Sequence, residues 1–100
     1  SEDEMVKSFV TKYETQFGET PNQFAADAYD CMYVVKAAIE KAGVTPDMDA
    51  SAICDALKTA MTEISYDGIT GKEISWEATG EPNKAPMIVQ IKDGVTVELQ

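Results

Sequence analysis

The sequence predicts an α+β segment in which three helices are followed by a short strand and a β-hairpin. Apolar residues recur at helical intervals as far as Ile64, whereas beyond Ser65 turn residues separate short runs that are typical of strands. The dipeptide Asp93-Gly94 stands between two apolar runs, which is the strongest short-range signal for a hairpin. Because no strand alternates with the helices, these residues alone cannot build a complete parallel sheet.

The first helix is predicted over residues 2–17. Its apolar side chains recur every four residues, at Met5, Phe9, Tyr13 and Phe17. Acidic residues fill the first turn, where they complement the helix dipole, and Gly18 supplies a left-handed stop.

Two further helices are predicted over residues 23–42 and 50–63. Asn22 and Asp49 are their candidate N-caps, and Gly43 ends the second helix. The second helix is apolar over much of its circumference, with one row formed by Phe24, Ala28, Met32, Val35 and Ile39. Such breadth indicates burial against more than one partner surface.

The strands are predicted over residues 72–77, 87–92 and 95–99. The first follows a turn framed by Gly68 and Gly71, and the other two form the hairpin around Asp93-Gly94. Residues 79–86, rich in Gly, Pro and Asn, are expected to form a loop.

The charge excludes several classes of function. The chain has 100 residues and a formal charge of −10, with eight lysines, no arginine and no histidine. Nucleic acid and anionic membranes are therefore poor partners, and the usual general base and commonest metal ligand are missing. No phosphate-binding or nucleophile motif occurs, so we expect neither an enzyme nor a cofactor, with no catalytic and no metal-binding residues.

Several acidic and thiol side chains have a structural interpretation beside the functional one. Asp27 and Asp30 lie one turn apart and could form an acid/base pair, but a solvated helical face is favoured. The segment from Asp47 to Asp49 is interpreted as a turn, since the glycine and closing glutamate of a calcium loop are missing. Cys31 and Cys54 are expected to be buried thiols, the alternative being a disulfide between neighbouring helices in an oxidising compartment.

Three ordered segments carry a resemblance to a known family. They are Pro21-Asn22-Gln23-Phe24-Ala25-Ala26-Asp27-Ala28-Tyr29-Asp30, the glycine-framed segment 66–76, and segment 85–94 leading into the hairpin. In this order they resemble the C-terminal part of type I periplasmic solute-binding proteins, and more narrowly the branched-chain amino acid branch of the ABC transporter receptors. The resemblance covers about residues 5–99.

The resemblance implies an α/β fold in a bilobal parent protein, of which residues 1–100 would be a C-terminal fragment. Each lobe of such proteins is an α/β sandwich, and ligand closes the cleft between the lobes by a hinge motion. The second and third helices would cover a sheet of the first lobe, whose strands are not in this chain, and the terminal strands would return to the second lobe. This explains the apolar breadth of the second helix.

The implied function is the capture of a small polar metabolite, an amino acid or a close relative, for an ABC importer. The partners would be that ligand and a membrane permease, with no nucleic acid, and the exposed second helix would favour self-association of the isolated segment. The location would be periplasmic or extracellular, at the membrane through the transporter. Residues 1–5 carry no signal peptide, as expected of a mature or truncated chain.

Only two ligand-binding residues carry over from the family, Phe24 and, more weakly, Gln23. The alternative for Phe24 is an aromatic side chain that closes the helix N-terminus over the core. Tyr66 and Trp76 are interpreted as packing residues of the glycine-framed turn. Two other functions stay open: a self-contained acidic interaction module for a basic protein, in which the helices and the β-hairpin pack on each other, and the ligand-sensing domain of a regulatory receptor.

Overall fold

The computed structural model describes residues 3–99 and confirms the predicted order of three helices followed by antiparallel strand pairs. The helices are α1 (Glu4–Phe17), α2 (Gln23–Ala42) and α3 (Ala50–Met61). The strands are β1 (Ser75–Trp76), β2 (Pro82–Asn83), β3 (Val89–Lys92) and β4 (Val95–Glu98). β1 pairs with β2 and β3 pairs with β4, both antiparallel.

The helix ends follow from local capping. The Asn22 side chain accepts a hydrogen bond from the Ala25 amide at 2.9 Å, and the Asp49 side chain accepts one from the Ala52 amide at 2.7 Å. Gly18 and Gly43 end α1 and α2 in the left-handed conformation, with φ of 75° and 66°. These local signals are strong enough to place the ends within a residue or two.

Two predicted helix ends differ from the structure. α1 begins at Glu4, because the Asp3 side chain accepts hydrogen bonds from the amides of Met5 and Val6; Glu2, the predicted start, lies outside the described residues. α3 ends at Met61 rather than at residue 63, because the Thr62 amide turns back to the carbonyl of Thr59 at 3.1 Å and tightens the last turn.

The strand after α3 is shorter than predicted, and it has a partner that was not expected. Only Ser75 and Trp76 of residues 72–77 form a strand, because Glu73 adopts a left-handed conformation (φ 50°) that interrupts the extended backbone, and Ile74 makes an isolated bridge with Tyr66 instead. Their partner β2 lies inside the predicted loop 79–86, reached through a turn in which the Gly80 amide donates to the Glu77 carbonyl at 2.8 Å.

The terminal hairpin forms around the predicted turn. Asp93 and Gly94 both have positive φ, 53° and 78°, which is the geometry of a two-residue type I′ turn. The strands run over 89–92 and 95–98 instead of 87–92 and 95–99, with one more hydrogen bond from the Leu99 amide to the Ile88 carbonyl at 2.9 Å.

The described residues bury only a small core. Its apolar members come from α1, α2, α3 and the segment before β1: Phe9, Val34, Ala38, Ala60 and Ile74. α2 packs on α3, whereas the β3–β4 hairpin makes no extensive contact with the helices. The radius of gyration is 16.5 Å, against about 13 Å for a compact chain of this length. Within residues 3–99, α2 is therefore buried on one side only, and the additional partner surface that its sequence predicts is not among these residues.

Among the described residues, none of α1, α2 and α3 combines the length and apolar character that a transmembrane helix requires.

Candidate functional site

The two ligand-binding residues predicted from the family lie in the first turn of α2. Asn22 caps this helix, and both Gln23 and Phe24 are exposed, with Phe24 exposing 79% of its surface. The alternative prediction for Phe24, an aromatic ring closing the helix end over the core, is wrong for residues 3–99 because most of the surface of Phe24 is exposed. The ligand-binding role of both residues stays a prediction.

A groove runs between α1 and α2. It has a volume of about 690 Å³ and is lined mainly by apolar and aromatic side chains, among them Phe9, Tyr13, Phe17 and Tyr29. The rings form a continuous series with centroid distances of 4.6–5.9 Å, which is the usual range for tilted aromatic pairs. Neither Gln23 nor Phe24 lines this groove.

The most highly connected polar side chain is Asp30, in the middle of α2. Its Oδ1 accepts a hydrogen bond from the Ile69 amide at 3.0 Å, and its Oδ2 accepts from the Thr70 amide at 2.9 Å and the Thr70 hydroxyl at 2.6 Å. Asp30 is only 5% exposed, so its interpretation as part of a solvated helical face is wrong. The same interpretation suits Asp27 better, which is partly exposed and lies 3.8 Å from Lys84 Nζ.

Gly68 completes this arrangement because it leaves room for the Asp30 carboxylate. A Cβ atom at position 68 would lie 2.5 Å from Asp30 Oδ2 and 2.7 Å from Cγ, which is closer than real contacts allow. The turn is also closed on itself, with the Gly68 amide donating to the Gly71 carbonyl at 2.8 Å. The glycine-framed turn that the sequence singled out is therefore built around a carboxylate on α2.

Two tyrosines near Asp30 have pKa values above the ordinary value of a tyrosine. A hydrogen bond with Tyr33 is the main cause that raises the pKa of Tyr29, and partial burial adds to it. Partial burial, and then the negative charge of Asp30, raise the pKa of Tyr66. The backbone of Tyr66 also pairs with that of Ile74 across an antiparallel bridge, while the packing role of its side chain stays a prediction.

Among residues 3–99, the two cysteines and the acidic turn of residues 47–49 form neither a disulfide nor a metal-binding site. Cys31 and Cys54 are free and exposed, so the prediction of two buried thiols is wrong, and no disulfide joins them. No group of three or more potential metal-binding side chains is found in the described part of the chain. Asp49 is used as the cap of α3, as the turn interpretation of residues 47–49 requires.

An exposed apolar face runs along α2, beside the row of buried residues Asp30, Val34 and Ala38. We call it the α2 stripe; its members and their exposed fractions are Phe24 (79%), Met32 (73%), Val35 (51%) and Ile39 (41%). Large apolar side chains of the hairpin region are exposed as well, including Ile88, Ile91 and Val95. Contiguous exposed apolar surface of this kind marks a face that another protein surface covers.

Comparison with known proteins gives one family and two solved structures. Residues 1–95 match the family described as periplasmic binding protein. The chain is similar to an ABC transporter substrate-binding protein from Desulfitobacterium hafniense, with 18% identity and a TM-score of 0.76 over 99% of this chain and 28% of that one. It is also similar to a Rhodospirillum rubrum protein assigned as a branched-chain amino acid ABC transporter, with 29% identity and a TM-score of 0.70 over 99% of this chain and 27% of that one. The chain thus spans little more than a quarter of the length of these two proteins.

Proposed function

The chain belongs to the periplasmic binding protein family, and we propose that it is part of an extracytoplasmic receptor that captures an amino acid for an ABC importer. Membership of this family of binding proteins agrees with the expectation that the chain is not an enzyme. The observation that carries the first part of the proposal, that the chain is part of a larger receptor, is the α2 stripe. A helix that belongs to a larger α/β lobe leaves its apolar face uncovered when only about a quarter of the protein is present.

Coverage of Met32, Val35 and Ile39 of the α2 stripe by residues outside this chain would complete the lobe and leave Phe24 to the ligand. The exposed fractions of these three side chains together amount to about one and two-thirds whole side chains, and burial contributes roughly 1.5–3 kcal/mol for each whole apolar side chain. Covering them would then stabilise the receptor by about 2–5 kcal/mol, a substantial part of the stability of an ordinary domain.

An amino acid, and specifically a branched-chain one, is the ligand class we favour. The support is the assignment of the Rhodospirillum rubrum protein, which shares 29% identity with this chain. Phe24 and Gln23 would contact such a ligand from the first turn of α2. The phenyl ring offers apolar surface to an aliphatic side chain, and the amide of Gln23 offers a donor and an acceptor.

The remaining parts of the proposal concern location and partners. The receptor would work in the periplasm or outside the cell and present its ligand to a membrane permease. A regulatory receptor of the same fold would use the same residues, and the other domains of the parent protein distinguish the two roles. The self-contained interaction module is not favoured, because it requires the helices and the β3–β4 hairpin to pack on each other, and they make no extensive contact.

The test is calorimetric titration of L-leucine into the full-length receptor that contains these residues, and into the isolated chain. We expect micromolar or tighter binding by the receptor and none by the isolated chain, because most of the cleft lies outside it. Phe24→Ala should weaken binding at least about tenfold. Phe17→Ala is the matched control, an exposed aromatic residue on α1 for which no ligand contact is proposed. Equal effects of the two substitutions, or leucine binding by the isolated chain, would contradict the proposal.

A further inference from the structure

We propose that Asp30 is a positioning residue that fixes the segment of residues 66–76 on α2 and thereby controls ligand release. This inference rests on the proposed function, because it concerns how the receptor holds a ligand. Asp30 does not touch the exposed Phe24 and Gln23 region. It would act through the chain path that leads from the helices to the hairpin.

The hydrogen bonds of Asp30 join parts of the chain that are far apart in sequence. Its three donors come from Ile69 and Thr70, which are 39 and 40 residues away. Bonds from amides and a hydroxyl to a carboxylate are stronger than those between neutral groups, and a buried carboxylate that loses its donors is costly. Asp30 therefore holds the turn in one position relative to α2.

The other polar links between the helices and the later residues are weaker. Lys72 Nζ lies 3.3 Å from Asp3 Oδ2, and Lys84 Nζ lies 3.8 Å from Asp27 Oδ1, but all four side chains are at least one-third exposed. Exposed ion pairs contribute little to holding two segments together. Among the described residues, Asp30 is thus the principal buried polar connection between the helical and strand halves.

The turn also determines the direction in which the chain enters β1. Asp67 Oδ1 accepts a hydrogen bond from the Glu73 amide at 2.8 Å, and Glu73 has a left-handed backbone that redirects the chain into β1. Because the turn is closed by its own hydrogen bond and held by Asp30, the chain beyond Trp76 starts from a fixed position relative to α2. A receptor that closes on its ligand needs this fixed position. If the segment could move relative to α2, open conformations would be more populated and the ligand-bound closed conformation would be less stable.

The first test measures position without using a ligand. Spin labels are placed at exposed positions 36 and 81 of the full-length receptor, in a Cys31→Ala, Cys54→Ala background, and the distribution of label distances is recorded. We expect a narrow distribution in the parent and in Asp27→Asn, the matched control one turn earlier on the same helix. Asp30→Asn should broaden it, and so should Gly68→Ala, which disturbs the same carboxylate from the opposite side. Thermal unfolding shows which variants are folded, and only these are compared. Distance distributions as narrow in folded Asp30→Asn and Gly68→Ala as in the parent would overturn the proposal.

The second test separates positioning from a merely structural role. L-Leucine association and dissociation rates are measured for the same receptor variants. We expect Asp30→Asn to release leucine about tenfold faster with little change in the association rate, whereas Asp27→Asn stays within about twofold of the parent. Equal dissociation rates for Asp30→Asn and Asp27→Asn would overturn the proposal even if the label distances broaden. If the parent receptor binds no leucine, the proposed ligand class fails, while the label distances still decide whether Asp30 fixes the segment.

Discussion

Replacement of Met32 and Val35 by glutamine is expected to have very different effects in the isolated chain and in the full-length receptor. These two members of the α2 stripe are 73% and 51% exposed in the chain described here. If the receptor covers them completely, each contributes that fraction of the roughly 1.5–3 kcal/mol that a fully buried apolar side chain provides. The pair should therefore lower the free energy of unfolding of the receptor by about 2–4 kcal/mol.

In the isolated chain the same pair should cost no more than about 0.5 kcal/mol per substitution, because exposed positions rarely matter and glutamine is a good helix former. The assay is urea unfolding of both proteins with and without the substitutions. Lys36→Gln is the matched control on the same helix, with an exposed side chain in a loose ion pair with Glu40. The reasoning is refuted if the double substitution lowers the free energy of unfolding equally in both proteins, or leaves the receptor unaffected.

Three further predictions concern local features of the chain. Asn22→Ala removes the cap of α2 and should lower the free energy of unfolding by about 1 kcal/mol in urea titrations, whereas Gln23→Ala, at the next and exposed position, should not. Gly94→Ala places a Cβ atom at φ 78° and should weaken the hairpin by about 1 kcal/mol, seen as faster exchange of the Leu99 amide with no change at the amides of α3. Folding raises the pKa values of Tyr29 and Tyr66, so the stability that they contribute is present below about pH 10 and is lost as the pH rises through their folded values. Alkaline titration of tyrosinate absorbance together with circular dichroism should show this loss, and Tyr29→Phe should reduce it.

The features predicted correctly from the sequence are those determined by neighbouring residues. Asn22 and Asp49 cap α2 and α3 through amides three residues away, and Asp93-Gly94 forms its turn within two residues. Such interactions need no knowledge of the rest of the fold, so residue types at fixed spacing are sufficient.

The role of Asp30 depended on a contact that local patterns do not contain. Its donors are 39 and 40 residues away, and an acidic residue on a helix is usually solvated. One signal was nevertheless present. Asp30, Val34 and Ala38 recur every four residues, and all three are buried. A carboxylate that continues a buried apolar row needs donors, and the turn around Gly68 supplies them.

The incorrect burial predictions have a common physical cause. Cys31 and Cys54 were expected to be buried because they occupy apolar sequence, yet both are exposed in the described chain. A sequence pattern records the surroundings of a residue in the complete protein. It does not state how many of those surroundings residues 3–99 supply.

The central claim is that the exposed apolar face of α2 is a buried face of the receptor, and Cys31 reports on it directly. Cys31 lies one helical turn before Val35, beside this face, and Cys54→Ala leaves it as the sole thiol of these 100 residues. Any cysteine elsewhere in the receptor is replaced by alanine as well. The measurement is the rate of thiol labelling in the isolated chain and in the full-length receptor. The account predicts rapid labelling in the isolated chain and labelling at least about 100-fold slower in the receptor, where the thiol is reached only by local opening. Equal rates in the two proteins would contradict it.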